Sequence, residues 1–259
     1  MNQHLAYKKF RACNNTNFVL AIKWNEKVYF IDFGLIQFYN KSIDLKKIDS
    51  DYRWEDMIWL HEKFTTSGFG KGEKSERAKL CLESWKKYMP DWEIKEWNED
   101  NFDINYNNWT KHSYENKKYA FTSDVVRLYA LYTEGGVYMD VDVEAYKPLD
   151  DFLNEEGFTG FEDVNYPSTA TLGAEKGNPV IKKMLDYYNS IDFELYDDWR
   201  EYIRKERTST CIQSNILAEL GIDRKRNVKQ SIPHFTVYPT DVFFTKGEGY
   251  TYHSFQGSW

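Results

Sequence analysis

Tyr119-Ala120-Phe121-Thr122-Ser123-Asp124-Val125-Val126-Arg127-Leu128, and after it Glu134-Gly135-Gly136-Val137-Tyr138-Met139-Asp140-Val141-Asp142-Val143, is the segment on which the fold turns. In its first half apolar residues recur at helical spacing (Val125, Val126, Leu128, Tyr129, Leu131, Tyr132). Thr122 or Ser123 is available as a cap, and the Gly135-Gly136 pair as a left-handed stop. A helix there sets Asp124 and Arg127 on one face. After the glycines the residues alternate as in a strand, with Tyr138, Asp140 and Asp142 on one side and Val137, Met139, Val141 and Val143 on the other. The two carboxylates then point the same way, about 7 Å apart.

Carboxylates that close repel unless a positive charge lies between them, and a hard divalent cation with oxygen ligands supplies it. A Mg²⁺ or Mn²⁺ bound there can hold a diphosphate and neutralise a leaving group. Arg127 adds a planar fork suited to phosphate or hydroxyl oxygens. The triplet alone decides little, because the chain has 41 acidic residues and carries a second Asp-x-Asp at Asp49-Ser50-Asp51. The helix, double glycine and strand around Asp140 and Asp142 set that copy apart.

Ser123-Asp124-x-x-Arg127, Gly135-Gly136-x-Tyr138-x-Asp140-x-Asp142 and Lys147-Pro148-Leu149 resemble the glycosyltransferase sugar-binding region containing the DXD motif. That family includes capsular polysaccharide transferases and the yeast outer-chain mannosyltransferase, and is distantly similar to the catalytic domains of the large clostridial glucosylating toxins. Further matching pieces are the stretch from Cys81 to Tyr88, Glu96-Trp97-Asn98-Glu99-Asp100-Asn101-Phe102-Asp103, Lys176-Gly177-Asn178-Pro179, and the terminal Tyr252-His253-Ser254-Phe255-Gln256-Gly257-Ser258-Trp259.

The resemblance implies an α/β chain of GT-A type, a Rossmann-like sandwich with a central mixed sheet. It implies that Asp140 and Asp142 serve a metal, that Asp124 and Arg127 hold ribose and donor sugar, and that Tyr138 lines the phosphates. A C-terminal segment closing over the donor makes His253 a third metal ligand and Ser258 with Trp259 pyrophosphate contacts. Read from the residues alone, His253 among Tyr250, Tyr252 and Phe255 is a packed aromatic neighbour. The implied cofactors are Mn²⁺ or Mg²⁺ and a nucleotide-sugar donor, a UDP-sugar first and a GDP-sugar second. The implied partner is a glycan or lipid-linked acceptor, and the implied reaction is a retaining hexosyl transfer in bacterial surface or capsular polysaccharide synthesis. Two other classes stay open: a catalytically impaired carbohydrate- or nucleotide-binding protein, and a metal-dependent phosphoryl hydrolase drawing on Glu162 and Asp163.

Around this centre, 19–38 reads as two or three short strands, 75–89 as a helix, 92–97 as a strand and 122–133 as the motif helix. Asn178 and Pro179 open a helix over 179–189, and Gly221 ends one over 213–220. Alternating strands and helices fit an α/β sheet. In the helix over 75–89, Ala78, Cys81, Leu82, Trp85, Tyr88 and Met89 form one apolar stripe, so Trp85 belongs to the core and Lys86 and Lys87 to the solvated face.

The N-terminal part departs from the family. Relatives open with a strand resembling Ile-Pro-Lys-Ile-Ile-His-x-x-Trp-Phe-Gly, whereas here the place holds Trp59-Leu60-His61-Glu62-Lys63-Phe64-Thr65-Thr66-Ser67-Gly68-Phe69. Codons for these residues read one base earlier permit Met-Val-Pro-Arg-Lys-Ile-His-Tyr-Ile-Trp-Phe. The expected division is therefore an atypical extension over 1–69, out-of-frame sequence fused to a GT-A domain over 70–259. A divergent native extension is the alternative.

Net charge of -7 argues against nucleic acid as a partner. Three cysteines without metal or redox spacing suit a reducing compartment. With no run of 18 apolar residues and no apolar signal core, the expectation is a cytoplasmic enzyme with at most peripheral contact at the inner face of the membrane.

Overall fold

The computed structural model describes residues 74–163 and 165–254, together with strands at 6–11, 18–24, 27–32 and 63–67. The chain divides into two units, Met1–Met57 and Ile58–Trp259. The first contains an antiparallel three-stranded sheet of β1 (Ala6–Arg11), β2 (Phe18–Trp24) and β3 (Lys27–Asp32). The strand reading over 19–38 is met there as far as Asp32, and the remainder of that stretch lies outside the described residues.

In the second unit, β4 (Lys63–Ser67), α1 (Glu76–Tyr88), β5 (Glu93–Trp97), α2 (Asn108–Glu115), α3 (Tyr119–Glu134), β6 (Gly136–Met139) and β7 (Val143–Ala145) come first. β8 (Gly157–Asp163), β9 (Tyr166–Ala174), α4 (Pro179–Ser190), α5 (Trp199–Arg204) and α6 (Ser209–Glu219) follow. β10 (Gln230–Ile232), β11 (Phe235–Tyr238), α7 (Thr240–Phe243) and β12 (Thr251–His253) complete it. The central sheet has seven strands in the order β10-β11-β8-β9-β6-β4-β5. β4 runs parallel to both β5 and β6, β11 runs parallel to β8, and β9 is antiparallel to both β6 and β8. The architecture is the α/β sandwich around a mixed sheet that the motif implied.

Why the motif strand is apolar on both sides follows from the two cores. Val137 and Met139 join the cluster of Trp85, Phe152, Phe158 and Phe243, while Tyr138 between them joins that of Leu131, Met184, Ile212 and Leu217. A strand covered by helices on both faces buries every residue, so β6 is buried throughout. The sheet thus sits between α1 and α7 on one side and α3, α4 and α6 on the other.

Local signals place most helices. Ser75 caps α1 through Ala78 N, and Trp85 is fully buried while Lys86 and Lys87 are exposed. Asn178 caps α4 with Pro179 in its first turn, as read from the sequence. Gly135 ends α3 at φ 75° and donates to the Leu131 carbonyl.

Three expectations need correction. α3 begins at Tyr119, not at a Thr122 or Ser123 cap, because α2 packs on its first turn. Thr122 is buried with its hydroxyl 2.8 Å from Ser113 Oγ, and Trp109 Nε1 donates to the Phe121 carbonyl. α2 itself escaped the periodicity reading; its signal was the reciprocal cap between Asn107 and Thr110. α6 starts earlier than 213, at Ser209 with Thr208 as its cap.

The third correction falls on the motif. The alternating strand expected through Val143 stops at Met139, and a turn closed by Val143 N on the Asp140 carbonyl at 2.9 Å carries Asp140, Val141 and Asp142. The reason is a change of partner: β6 pairs with β9, whereas β7 pairs antiparallel with β12.

Candidate functional site

α3 delivers Asp124 and Arg127 one helical turn apart, and both are buried, at 4% and 5% exposure. The guanidinium donates from Nη1 to the Thr169 carbonyl at 2.7 Å and from Nη2 to Asp124 Oδ1 at 3.0 Å. Nη2 also lies 3.4 Å from Asp140 Oδ1, and Nε donates to the Ser123 carbonyl at 3.4 Å. The Tyr138 ring packs 4.8 Å from the guanidinium carbon, and its hydroxyl donates to Asp140 Oδ1 at 2.8 Å. Asp140 is therefore held by a cation from α3 and a phenol from β6. Tyr138 is itself buried and reaches the site through Asp140.

The pairing of β12 with β7 sets His253 opposite Val143. Its Nε2 lies 3.3 Å from Asp142 Oδ1, and its Nδ1 lies 3.9 Å from Glu162 Oε1 at the end of β8. Ser254 donates from both its backbone N and its Oγ to the Asp142 carbonyl, at 3.1 Å and 2.9 Å. Arg77 on α1 closes this corner with an ion pair to Glu144 at 2.7 Å and a hydrogen bond to Ser254 Oγ at 3.3 Å. One ligand atom each from Asp140, Asp142 and His253 falls within 4.8 Å of the others.

The electrostatics are those of a crowded acidic centre. Burial would lower the His253 imidazole, but the hydrogen bond to Asp142 and the charges of Asp140, Asp142 and Glu162 overcome it and hold the ring above its ordinary range. Burial pushes the Glu162 carboxyl up, although Ser168 Oγ donates to it at 2.6 Å. Burial likewise pushes Asp124 up, to about 7, against the pull of Arg127. Two carboxylates and an imidazole within 4.8 Å of one another form an O,O,N donor set, and a divalent cation would relieve the repulsion between the carboxylates.

The structure thus brings together Asp124, Arg127, Tyr138, Asp140, Asp142 and His253, while Ser258 and Trp259 lie outside the described residues. Glu162, noted in the sequence only as a spare carboxylate, stands beside His253. Arg77 carried no signal in the sequence, and Ser254 stood in the matching terminal piece without a role, since the partners of both are far away along the chain.

The Asp-x-Asp turn at the end of a central strand of the mixed sheet is the place that the motif implied for the site. Residues 75–159 match the model of the glycosyltransferase sugar-binding region containing the DXD motif. Inositol phosphoceramide mannosyltransferase 3 of Schizosaccharomyces pombe is 26% identical over 160 residues, which cover 58% of this chain and 44% of the relative. The chain therefore spans less than half the length of that curated relative. Among solved structures, PaToxG Glycosyltransferase is similar with a TM-score of 0.46 and 17% identity, over 62% of this chain and 71% of that one. A glycosyltransferase involved in the glycosylation of the major capsid of PBCV-1 is similar with a TM-score of 0.41 and 12% identity, over 76% of this chain and 94% of its own.

Proposed function

We propose that this chain is a metal-dependent hexosyltransferase that moves a sugar from a nucleotide diphosphate to a glycan or lipid-linked acceptor. The observation that carries the reading is the convergence of Asp140, Asp142 and His253 within 4.8 Å. Asp140, Asp142 and His253 would hold a Mn²⁺ or Mg²⁺, which when bound would supply Lewis-acid neutralisation of a diphosphate leaving group.

The chain's own residues do the positioning. Tyr138 and Arg127 fix the Asp140 carboxylate, and Ser254 fixes the backbone beside Asp142. Glu162 faces Nδ1 of His253 and leaves Nε2 toward Asp142. Asp124 and Arg127 present a braced polar wall to the ribose and the donor sugar, and Ser258 and Trp259 are assigned the pyrophosphate. Transfer with retention of anomeric configuration, a role in bacterial surface polysaccharide synthesis and a cytoplasmic place with peripheral membrane contact belong to the same reading. A lipid-linked acceptor is supported by the yeast relative, whose name specifies a phosphoceramide, and its mannosyl activity keeps a GDP-sugar beside a UDP-sugar as donor. An atypical sequence before residue 70, out of frame or a divergent native extension, is part of the proposal too, although β4 at Lys63–Ser67 takes a place in the central sheet.

The test is a thermal-shift series with UDP, GDP and their sugars, each with Mn²⁺ and with EDTA, followed by assay of sugar release or transfer. A shift that needs the metal and one nucleotide supports a donor site and names its base. No shift with any nucleotide in the presence of Mn²⁺ overturns it. A metal-dependent shift without turnover favours the impaired binding protein.

A further inference from the structure

Behind the pair of Asp124 and Arg127 lies a small cavity of about 10 Å³, whose polar lining comes from Asp124, Arg127, Thr169, Tyr188, Ser209 and Gln213. That volume admits one water and excludes a sugar ring. Tyr188 on α4 and Gln213 on α6 are buried, at 2% and 3% exposure. Tyr188 Oη and Gln213 Oε1 have no hydrogen-bond partner among the described residues. Two such buried atoms lining one small cavity are costly unless something fills it.

We propose that this cavity holds a single ordered water, and that Tyr188 and Gln213 act through it as positioning residues for Asp124 and Arg127. The Gln213 amide is oriented by its own bond, Nε2 donating to the Ser168 carbonyl at 2.6 Å, so that Oε1 is left as an acceptor. The Tyr188 ring is fixed edge-on against Trp109, with centroids 5.0 Å apart, which keeps its hydroxyl from swinging to solvent. Burial holds the phenol protonated, and it serves as a donor. A water between them accepts from Tyr188 and donates to Gln213 Oε1 and to a carboxylate oxygen of Asp124, beside the hydrogen bond that Asp124 takes from Ser209, whose Oγ also lies 3.2 Å from Thr169 Oγ1. The water ties α4 and α6 to the first half of α3 and, with Ser209, braces the Asp124 carboxylate.

The water site stands on geometry alone; its effect on the donor rests on the function proposed above. A high-resolution crystal structure of the full chain should show one peak within about 3.2 Å of both Tyr188 Oη and Gln213 Oε1. Absence of that peak, or a Tyr188 hydroxyl bonded directly to a protein group, overturns the proposal whether or not the protein transfers sugar. Tyr188→Phe keeps the ring packing and should lose the peak. Its donor KM should rise about fivefold, the worth of one hydrogen bond, with kcat nearly unchanged. A Tyr188→Phe protein that keeps the water, or loses it with KM unchanged, removes the positioning role.

Discussion

Arg127 turns its three nitrogens toward four oxygens, those of Ser123, Thr169, Asp124 and Asp140, which brace its fork in place. In the proposed function the metal role falls on Asp140, Asp142 and His253. Asp142→Asn removes one charge from a self-repelling group, so the Tm in EDTA should stay near that of the parent. Its Mn²⁺ affinity should fall by more than about tenfold, measured by calorimetry. A Mn²⁺ affinity equal to that of the parent would remove Asp142 from the metal site. Asp124 makes a prediction about pH. Burial raises its pKa to about 7, above the ordinary 3.8, so the folded state binds this proton more tightly than the unfolded state. The stability that this proton contributes is full below about pH 4 and is lost as pH rises through about 7. Asp124→Asn carries no such charge, so its stability relative to the parent should rise from pH 4 to pH 7. Denaturant unfolding of both proteins in EDTA measures the difference, and a flat difference would contradict the raised carboxyl.

At the scale of elements, the site depends on how α3 ends and how β12 is held. Gly135 closes α3 at φ 75°, and a Cβ there would meet the backbone N of Lys176 at 2.8 Å. Gly135→Ala should cost about 1–3 kcal/mol by denaturant titration, since both the left-handed backbone and the close approach oppose a side chain. An unchanged midpoint would mean that the helix ends another way. β12 has only three residues, and Arg77 on α1 clasps it to β7 through Glu144 and Ser254. Arg77→Ala should quicken amide hydrogen exchange over Tyr252, His253 and Ser254 and weaken Mn²⁺ binding in step, with a stability loss of about 1 kcal/mol. Unaltered exchange at those amides would show that strand pairing alone holds the segment.

For the larger unit as a whole, the helices on the two faces of the sheet seal two separate cores, and a free thiol reports on each. Cys81 of α1 and Cys211 of α6 are buried, and burial pushes the Cys81 thiol up to about 11. At pH 8 Cys81 should be alkylated by iodoacetamide at least about a hundredfold more slowly than a free thiol, because both thiolate and access are lacking. Peptide mass spectrometry measures the rate, and quick labelling of Cys81 in the folded protein would contradict the packing of α1 on the sheet. Within the described residues no helix is long and apolar enough to cross a membrane.

The sequence by itself determined the α/β class, the pairing of Asp124 with Arg127, the glycine stop at Gly135 and the cap of α4 by Asn178. Each of these is a matter of periodicity, capping or backbone freedom, forces that act within about one helical turn. The tertiary structure alone decided that Asp140 and Asp142 stand on a turn, that His253 and Glu162 meet beside them, and that Tyr188 and Gln213 share one cavity. Those outcomes depend on β7 leaving the central sheet for β12, over a hundred residues later, and on α4 and α6 closing over α3. A strand's alternation says which residues share a face only while its partner stays the same, and the partner is chosen by the packing of the whole unit.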